Sequence, residues 1–381
     1  MNFSSPAPYV NAAFLAFLFL FNGGAVWALE RNIVELDGMR LAVPADVQIS
    51  IFADDVPQAR HMAFDDQGTL FLSQARAGKV TALPDLDFDG RADKTVTVLK
   101  NRDMPHGLAF VRLDSGYYLY VAEEEQVIRM KRIAKPFRYG PPETVIANIP
   151  GGGHFTRTIK IKEGKLYLSV GSSCNACVEK NKLRAAISRY DLDGKNGEIF
   201  ASGLRNSVGI EFSPYSGELW GVNNGRDWSG EEFPREELNI ILQGKHYGWP
   251  FCNENRLPDP DFAGLMDCAR TEPPAHMFPA HWAPLGLAFY RKGSLSSIYD
   301  NSVFVAFHGS FNRINPEGYK VVRVILNDKG KIIASEDFIT GWLLPNGSKD
   351  GRPVDLEQSP QGDLYLSDDY RGVVYRITAR R

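Results

Sequence analysis

A two-strand pattern that recurs six times is the feature of this sequence that most constrains its fold. In each copy, a short run of alternating apolar and polar residues leads into a turn containing Gly and then into a second apolar run. The copies occupy residues 61–73, 106–122, 157–170, 208–222, 285–306 and 354–367. Alternation with a period of two is typical of β-strands, and a short turn between two such runs predicts a hairpin. The chain is therefore predicted to be all-β.

The spacing of these copies predicts a propeller. Within the first four copies, one register position is occupied by Phe64, Phe110, Ile161 and Phe212. Successive members are 46, 51 and 51 residues apart, and four short strands fit into this length, which is typical of one propeller blade. The next interval is longer because residues 223–284 form an insertion rich in Asn, Pro, Trp and Cys. Since packed blades leave no room for it, this insertion is expected on one face of the ring, and long ordered loops are usually functional.

The ends of the chain predict how the ring closes. Residues 47–53 and 372–378 are single strand-like runs outside the six copies. Pairing them within one blade would close the ring and remove an exposed sheet edge. The predicted architecture is a six-bladed β-propeller within residues 29–381. An open β-sandwich, or two small β domains, is the alternative.

The first 28 residues are predicted to be a signal peptide. Residues 12–21 form an apolar block of ten, residues 22–24 break it, and small residues lead to an expected cleavage after Ala28. The block is shorter than the roughly 20 residues that a membrane helix needs. No Lys or Arg precedes it, so an uncleaved anchor is the alternative. We therefore expect an exported protein, periplasmic or secreted.

Export bears on the interpretation of the four cysteines. An even number of cysteines in an oxidising compartment favours disulfides, and three pairings are possible. We favour Cys174–Cys177 and Cys252–Cys268, because each of these pairs closes one local loop. A c-type haem would need His directly after the C-x-x-C, where Val178 stands. A four-cysteine zinc site is the remaining alternative.

The most specific motifs lie in residues 203–250. They begin with GLRNSVG, in which Arg205 and Asn206 precede the fourth copy, and continue past a hairpin to the stretch Asn224-Gly225-Arg226, an acidic segment and HYGWP. This order resembles the quinoprotein glucose/sorbosone dehydrogenase family, and the L-sorbosone dehydrogenase type in particular. The resemblance extends from about residue 45 to the C-terminus. It implies a six-bladed β-propeller that holds pyrroloquinoline quinone (PQQ) and Ca²⁺ at one end.

The implied activity is oxidation of a sugar, or of an aldehyde hydrate, by hydride transfer to PQQ, with an external cytochrome or quinone as electron acceptor. PQQ has three carboxylates and an ortho-quinone, so its site needs arginines, a Lewis acid and a base for the sugar hydroxyl. By the resemblance, His154 is this base, and it follows the glycines of residues 151–153. The family normally places Asp beside the base, and the matching residue here is Ser172, as in the sorbosone type. The alternative is a histidine in a mobile glycine loop.

The resemblance also assigns the cofactor and metal ligands. Arg205 and Asn206 match residues that the family places over the quinone oxygens, and Asn224 matches a residue of the stretch that caps the cofactor. Gly225 and Arg226 match the positions whose main-chain carbonyls coordinate calcium, so that backbone shape matters more than side-chain identity there.

The end of the chain supplies further candidate cations. Arg352, before the sixth copy, matches the first of two family arginines near the cofactor carboxylates. The second position is Val354, which is a loss of charge. Arg313 is the candidate replacement cation, and His308 is a second candidate nearby.

Acidic and aromatic residues offer alternatives outside these motifs. The run of residues 85–93 contains four Asp and resembles a calcium loop, although Val96 stands where an EF-hand needs Glu; otherwise it is a solvated turn. Glutamates at 231, 232, 236 and 237 could support calcium near Gly225 or form a solvated loop. Tryptophans at 228, 249 and 282 could stack on a sugar, with one or more of them packing in the core.

Two other functions are compatible with the same repeats. A calcium-dependent lactonase on a similar propeller would need carboxylates lining the central channel. A non-catalytic binding propeller that has lost the cofactor is favoured by Ser172 and Val354. The formal net charge of -3 shows no basic field, which argues against a nucleic-acid partner. The sequence carries no signal for a particular oligomeric state.

Overall fold

The computed structural model describes residues 29–134 and 136–380. The predicted signal peptide, residues 1–28, lies outside the described residues, so that cleavage after Ala28 stays a prediction. Within the described part of the chain, the helical segments are three short 3-10 turns, at Pro260–Phe262, Cys268–Arg270 and Ser297–Tyr299. None of the helices found there is long and apolar enough to cross a membrane.

The chain begins with a hairpin that the repeat pattern did not reveal. Strand β1 (Arg31–Leu36) pairs with β2 (Met39–Pro44) in an antiparallel arrangement. Met39, Leu41 and Val43 of β2 are buried, and Ala42 forms a β-bridge with Thr340. This hairpin therefore packs against the outside of the ring. The next strand, β3 (Val47–Ala53), joins a blade.

The first three blades are antiparallel sheets whose strands follow one another in the chain. The first blade consists of β4 (Ala59–Phe64), β5 (Leu70–Gln74), β6 (Lys79–Leu83) and β7 (Val96–Leu99). The second consists of β8 (Leu108–Leu113), β9 (Gly116–Ala122), β10 (Val127–Ala134), β11 (Arg138–Tyr139) and β12 (Glu143–Ile146). The third consists of β13 (Arg157–Lys162), β14 (Lys165–Val170), β15 (Ala186–Asp191) and β16 (Glu198–Ser202). It is the exception to this order, because a short strand from later in the chain, Lys245–His246, pairs in parallel with β16.

The last three blades include the insertion and the closure. The fourth consists of β17 (Ile210–Phe212), β18 (Leu219–Asn223), β19 (Glu236–Ile241) and a last strand, β23 (His276–Phe278). Between β19 and β23 the chain forms β20 (Lys245–His246), which joins the third blade, and the hairpin of β21 (Cys252–Asn253) and β22 (Leu257–Pro258). The fifth consists of β24 (Pro284–Tyr290), β25 (Ser302–Phe307), β26 (Lys320–Leu326) and β27 (Ile332–Ile339). The sixth consists of β28 (Pro353–Gln358), β29 (Leu364–Asp368) and β30 (Val373–Ala379), completed by β3.

The arrangement of these sheets confirms the predicted six-bladed β-propeller. Each of the six sequence copies forms the hairpin between the innermost strand of a blade and the strand next to it. The innermost strands contact one another in the cyclic order β4, β8, β13, β17, β24, β28 and back to β4. The predicted closure is also confirmed, because β3 pairs with β30 from Val47 opposite Ala379 onward. The ring therefore has no open edge between its first and last blades.

The hydrophobic core is divided among the gaps between neighbouring blades. Strands that are buried on both faces bring apolar side chains to each gap, and six separate clusters result, one for each pair of adjacent blades. The N-terminal hairpin adds its apolar face to the cluster between the fifth and sixth blades. Radial packing of this kind leaves the loops at the two ends of the ring free to form sites.

The structure corrects the interpretation of residues 223–284 as an insertion lying wholly on one face. Strands β19 and β23 lie in this stretch, and they form the two outer strands of the fourth blade. Glu236 and Glu237 are consequently buried in β19 rather than solvated in a loop. The excess chain is the part between β19 and β23, which carries the β21–β22 hairpin and the predicted disulfide Cys252–Cys268. The other predicted disulfide, Cys174–Cys177, is also present, which confirms the preferred pairing.

Candidate active site

A cavity opens at the end of the ring where the innermost strands begin and the second strands end. Because the two strands of each hairpin are antiparallel, residues that enter an innermost strand lie beside residues that leave the next strand. The cavity has a volume of about 340 Å³, within the usual range for small-molecule sites. Five blades contribute to its wall, which consists of Arg60, His154, Phe155, Thr156, Arg205, Asn206, Val208, Asn224, Gly225, Asp227, Glu236, His281, Ala283, Leu285, His308, Gly309, Phe311, Asn312 and Arg352.

His154 stands on this wall just before β13, as the sequence predicted. Its Nδ1 lies 3.0 Å from the main-chain oxygen of Ser172 and 3.1 Å from the Ser172 Oγ. The Ser172 hydroxyl donates its own proton to the main-chain oxygen of Cys174, 2.6 Å away. Both atoms that face Nδ1 are therefore acceptors, so that Nδ1 carries the proton of the neutral ring. The other nitrogen, Nε2, is left with a lone pair.

The electrostatic surroundings keep this histidine neutral. Burial, followed by the positive charge of Arg205, lowers the pKa of His154 to about 4, with smaller effects from Arg184 and Arg157. The hydrogen bond to Ser172 acts in the opposite direction. A neutral imidazole whose Nε2 can accept a proton is the form that a general base needs. Ser172 thus fixes the ring through a neutral acceptor where the family normally has a carboxylate.

Two glycines allow the close approach between the His154 segment and the start of the next loop. Gly153 has a φ of 68°, and a Cβ on it would lie 2.6 Å from the main-chain oxygen of Ser172. A Cβ on Gly171 would lie 2.7 Å from the Cβ of His154. Both positions therefore exclude any larger residue. The glycine run in the sequence serves to bring His154 against Ser172.

Arg205 and Asn206 enter the cavity from the fourth blade. Arg205 is 4% exposed, and its Nε and Nη2 donate to the main-chain and side-chain oxygens of Asn175, each 2.9 Å away. Nη2 also pairs with Asp227 at 3.0 Å, whereas Nη1 has only a 3.5 Å contact with the oxygen of Asn224. One nitrogen of a rigidly held guanidinium therefore remains available to a ligand.

The predicted calcium segment lies on the same wall, beside Arg205 and Asn206. Gly225 lines the cavity, and its N–H donates to Glu236 at 2.8 Å. Burial raises the pKa of Glu236 to about 8, although hydrogen bonds from Gly225 and Ala283 oppose this. Together with Asp227, this segment offers oxygen donors of the kind that Ca²⁺ prefers. The donor set is therefore compatible with calcium.

The side chain of Arg226 turns away from the cavity. It donates from Nη1 to both oxygens of Asp259, at 2.8 and 3.0 Å, and from Nη2 to Asp261 at 2.7 Å. These contacts fasten the segment to the loop closed by the Cys252–Cys268 disulfide. Only the main chain of Arg226 is left for the predicted metal role.

Arg352 and a second arginine, Arg60, face the cavity from the sixth and first blades. Arg352 donates from Nε to the main-chain oxygen of His308 at 3.2 Å. Arg60 is 7% exposed; its Nη1 pairs with Asp369 at 2.8 Å, and its buried Nε has no partner among the described residues. Asp369 also contacts His308 Nε2 at 2.8 Å. Although burial opposes it, these contacts hold the pKa of Asp369 well below its usual value.

Arg60 is a site residue that the sequence interpretation missed. It immediately precedes the first copy, just as Arg352 shortly precedes the sixth, so the signal that selected Arg352 was present at Arg60 as well. Val354, the position of the lost charge, is buried with Val208 and Leu285 in an apolar cluster. The cavity accordingly has three arginines despite the valine.

Arg313, the candidate replacement cation, does not line this cavity. Its guanidinium donates to the main-chain oxygens of Glu231 and Ala280 and pairs with Glu232 and Glu317. These contacts connect the β25–β26 loop, which carries Arg313, with the β18–β19 loop of the fourth blade. Arg60, in contrast, lines the cavity together with Arg205 and Arg352.

The three tryptophans that were candidates for stacking on a sugar have different surroundings. Trp228 is 72% exposed and meets the cavity residue Phe311 edge to face, with 6.0 Å between ring centres. Trp249 is buried and donates from Nε1 to the oxygen of Asn175 at 3.3 Å. Trp282 packs against Phe307 in the core. Of these rings, Trp228 is the one placed to meet a ligand at the mouth of the cavity.

Carboxylates do converge on the central channel, but they surround a lysine. Lys160 of β13 pairs with Glu211 of β17, and its Nζ lies 3.8 Å from Glu357 of β28. Burial opposes its charge, yet Glu211 and Glu357 raise the pKa of Lys160 above its usual value. An ammonium group therefore fills the place that a lactonase metal would need.

Two groups of possible metal ligands occur within residues 29–134 and 136–380. One contains Cys174 and Cys177, which are already joined as a disulfide. The other brings together Asp85, Asp87 and Asp89 of the predicted calcium loop, where each carboxylate accepts a hydrogen bond from a nearby backbone N–H. The predicted loop conformation is present, and these hydrogen bonds account for it without an ion.

Comparisons with known proteins agree with this architecture. The chain is 30% identical to an uncharacterized protein of Borreliella burgdorferi, over 88% of this chain and 90% of that protein. It is 25% identical to a pyrroloquinoline quinone-dependent sugar dehydrogenase of Hypocrea jecorina, over 94% of each chain. The holo form of the PQQ domain of pyranose dehydrogenase from Coprinopsis cinerea superimposes with a TM-score of 0.77, at 22% identity, and covers 90% of this chain and 98% of that one.

The family model described as TrAA12-like matches residues 41–380, which span all six blades and the closing strand. This match and the relatives above confirm the quinoprotein sugar dehydrogenase resemblance at the level of the family. The narrower similarity to the sorbosone type stays a prediction. The chain belongs to the TrAA12-like family.

Proposed function

We propose that this chain is a PQQ-dependent oxidoreductase that oxidises the C1 hydroxyl of an aldose, or the hydrate of a sugar aldehyde of the sorbosone kind. The observation that carries the proposal is the convergence of a neutral, oriented histidine and three arginines on one cavity. The similarity to the pyrroloquinoline quinone-dependent sugar dehydrogenase of Hypocrea jecorina supports the same cofactor and substrate class.

The cationic side chains of the cavity fit a tricarboxylate. Arg60, Arg205 and Arg352 come from three different blades, and the first two retain donors that the protein itself does not satisfy well. A buried donor without a partner costs free energy, which a carboxylate ligand would recover. These residues would therefore hold PQQ, with Asn206 and Asn224 beside it as predicted. When bound, PQQ would supply the ortho-quinone that accepts a hydride.

Calcium would bind at the main-chain oxygens of Gly225 and Arg226. Asp227 and Glu236 would support it, and a divalent charge nearby would favour the ionised form of Glu236. This positive charge, together with that of Arg205, would polarise the acceptor. The chain's own contribution is to keep these groups fixed before the reaction begins.

His154 would take the proton of the C1 hydroxyl on Nε2 while C1 loses hydride. The C1–H and O–H bonds break and a carbonyl forms, so that an aldose yields a lactone and an aldehyde hydrate yields a carboxylic acid. Ser172 would keep the proton on Nδ1 and the ring in place throughout. We propose that the electrons then pass to an external cytochrome or quinone in the periplasm or outside the cell. The two disulfides support export, since such bonds persist in oxidising compartments.

The test is a titration of the purified apo-protein with PQQ, once in calcium buffer and once with a chelator. Binding is monitored by the absorbance of the quinone. Saturable, calcium-dependent binding and turnover of aldoses with a dye acceptor are expected. Binding without turnover would indicate a non-catalytic propeller, and the absence of binding would overturn the proposal. Arg352→Ala should weaken PQQ binding by about 30-fold or more, since removing an arginine that pairs with a desolvated carboxylate costs about 2–5 kcal/mol.

A further inference from the structure

A small covalent loop lies against both the histidine and the arginine of the cavity. It belongs to the connection between β14 and β15 of the third blade, and the disulfide between Cys174 and Cys177 closes it. Ser172, two residues before the loop, holds His154, and the Ser172 hydroxyl donates to the main-chain oxygen of Cys174. The loop is thus linked to the base by two successive hydrogen bonds, with Ser172 between them.

Asn175, inside the closed loop, holds the arginine. Its main-chain oxygen accepts from Arg205 Nε at 2.9 Å, and its Oδ1 accepts from Arg205 Nη2 at 2.9 Å. The same side chain spans the cavity wall to Asp227, with Oδ1 accepting from the backbone N–H at 2.7 Å and Nδ2 donating to the backbone oxygen at 2.9 Å. Trp249 Nε1 donates to the Asn175 oxygen from the far side, at 3.3 Å.

We propose that the Cys174–Cys177 loop is the positioning device of this active site, with Asn175 as its positioning residue for Arg205 and Cys174 as its link, through Ser172, to His154. Its catalytic consequences rest on the proposed function, whereas its effect on the geometry of His154 and Arg205 does not.

The chemistry of the amide explains why asparagine suits this position. The side chain must accept from two N–H groups and donate to one carbonyl at the same time, and an amide offers both kinds of atom. Aspartate could accept but not donate, and it would place a second carboxylate beside Asp227. Alanine would remove the hydrogen bond from Arg205 Nη2 and both side-chain hydrogen bonds to the Asp227 backbone. The main-chain oxygen of residue 175 could still accept from Arg205 Nε.

The disulfide explains how so short a segment can act as a fixed support. Residues between Val170 and Ala186 belong to neither strand, so their order depends on contacts of their own. Fixing the backbone of each residue costs about 1–2 kcal/mol of conformational entropy. A cross-link removes part of this cost in advance by restricting the open loop. Without it, the hydrogen bonds of Asn175 and Ser172 would have to order the loop unaided.

The first measurement uses the apo-protein and needs no cofactor. The titration of the His154 ring is followed by NMR in the wild type, in the double variant C174S/C177S and in C252S/C268S, which lacks the other disulfide. In the intact site, burial and the charges of Arg205, Arg184 and Arg157 depress the pKa of His154. In C174S/C177S the ring should become more exposed and Arg205 less closely held beside it, so this pKa should rise toward 6.5 although the Ser172 hydrogen bond, which raises it, is weakened. The C252S/C268S variant should keep the wild-type titration even if its Tm falls. An unchanged His154 titration in a folded C174S/C177S would overturn the inference.

The second measurement uses the holoenzyme and the side chain of Asn175. Asn175→Ala is compared with Asn181→Ala, the same substitution six residues later, where the side chain only caps the Leu183 N–H. Displacing catalytic groups by about 1 Å can cost about a hundredfold in rate. We expect Asn175→Ala to lower kcat by tenfold to a hundredfold and to weaken PQQ binding, with Asn181→Ala near wild type. Equal values for the two variants would overturn the role of Asn175.

The two measurements separate this inference from the proposed function. If the wild type binds no PQQ, the proposed function fails, yet the His154 titration still decides whether the loop positions the site. If PQQ binds and sugars are oxidised, but both readouts are insensitive to the loop, the proposed function stands and the loop serves stability alone.

Discussion

Replacing Arg60 by alanine is expected to weaken PQQ binding sharply. Arg60 is 7% exposed and lies on the cavity wall, with its Nη1 paired to Asp369 and its buried Nε without a partner in the described chain. Its guanidinium lies 5.7 Å from the centre of the Phe155 ring. A carboxylate bound in the cavity beside this guanidinium would meet a cation that is already desolvated and oriented.

The size of the effect follows from this burial. Removing an arginine opposite a desolvated carboxylate costs about 2–5 kcal/mol, which is a loss of roughly 30-fold to several thousand-fold in affinity. The variant also leaves Asp369 with His308 as its remaining side-chain partner. Because the contact between Asp369 and His308 survives, the free energy of unfolding should fall by about 3 kcal/mol, the lower end of the range typical of a broken buried ion pair.

A matched control lies over the same ring. Arg76 is exposed, and its guanidinium lies 5.9 Å from the centre of Phe155, but it does not line the main cavity. PQQ affinity in calcium buffer is measured for Arg60→Ala, Arg60→Lys and Arg76→Ala, with Tm recorded for each. Lysine should restore the affinity only in part, because a point charge cannot form the bidentate contact. Equal affinities for the Arg60→Ala and Arg76→Ala variants would refute the assignment.

Three further predictions concern the base and the processing of the chain. His154→Ala should keep PQQ bound but lower turnover by about 10² to 10⁴, the usual contribution of a general base; near-wild-type kcat with saturating sugar would exclude it. Catalysis needs neutral His154, and burial lowers the pKa of this residue to about 4. The value of kcat/KM should therefore stay level at pH 6.5 and fall only as the pH approaches 4, where the ring becomes protonated. An acid limb at or above 6.5 would contradict this environment. The exported protein should begin near Leu29 and contain no free thiol, which intact mass with alkylation before and after reduction decides.

The sequence predicted those parts of the fold and site that follow from local periodicity. Alternation located the innermost hairpin of every blade, and residues just before these hairpins, such as His154 and Arg205, were placed correctly at one end of the ring. The N-terminal hairpin was missed because its strands pack outside the repeating ring. Glu236 was assigned to a loop because the third strand of the fourth blade is separated from its hairpin by a long connection.

Contacts that depend on ring closure could not be predicted in this way. Arg60 and Asp369 are 309 residues apart in the sequence and meet only because the sixth blade lies beside the first. Asn175 was overlooked because the C-x-x-C pattern was considered for its cysteines alone. Its position after the second strand of a hairpin, at the same end as Asn224, is the signal that could have identified it.

The pairing of β3 with β30 imposes an order on folding. Val47 lies opposite Ala379, so that one of the first strands to leave the ribosome must wait for nearly the whole chain before its partner exists. Until then its hydrogen-bonding edge has no neighbour in the sheet, and such edges promote association between chains. Contacts this distant in sequence also slow folding, because a large loop must close before they form. A chain that ends at residue 372 would have five complete blades and two open edges.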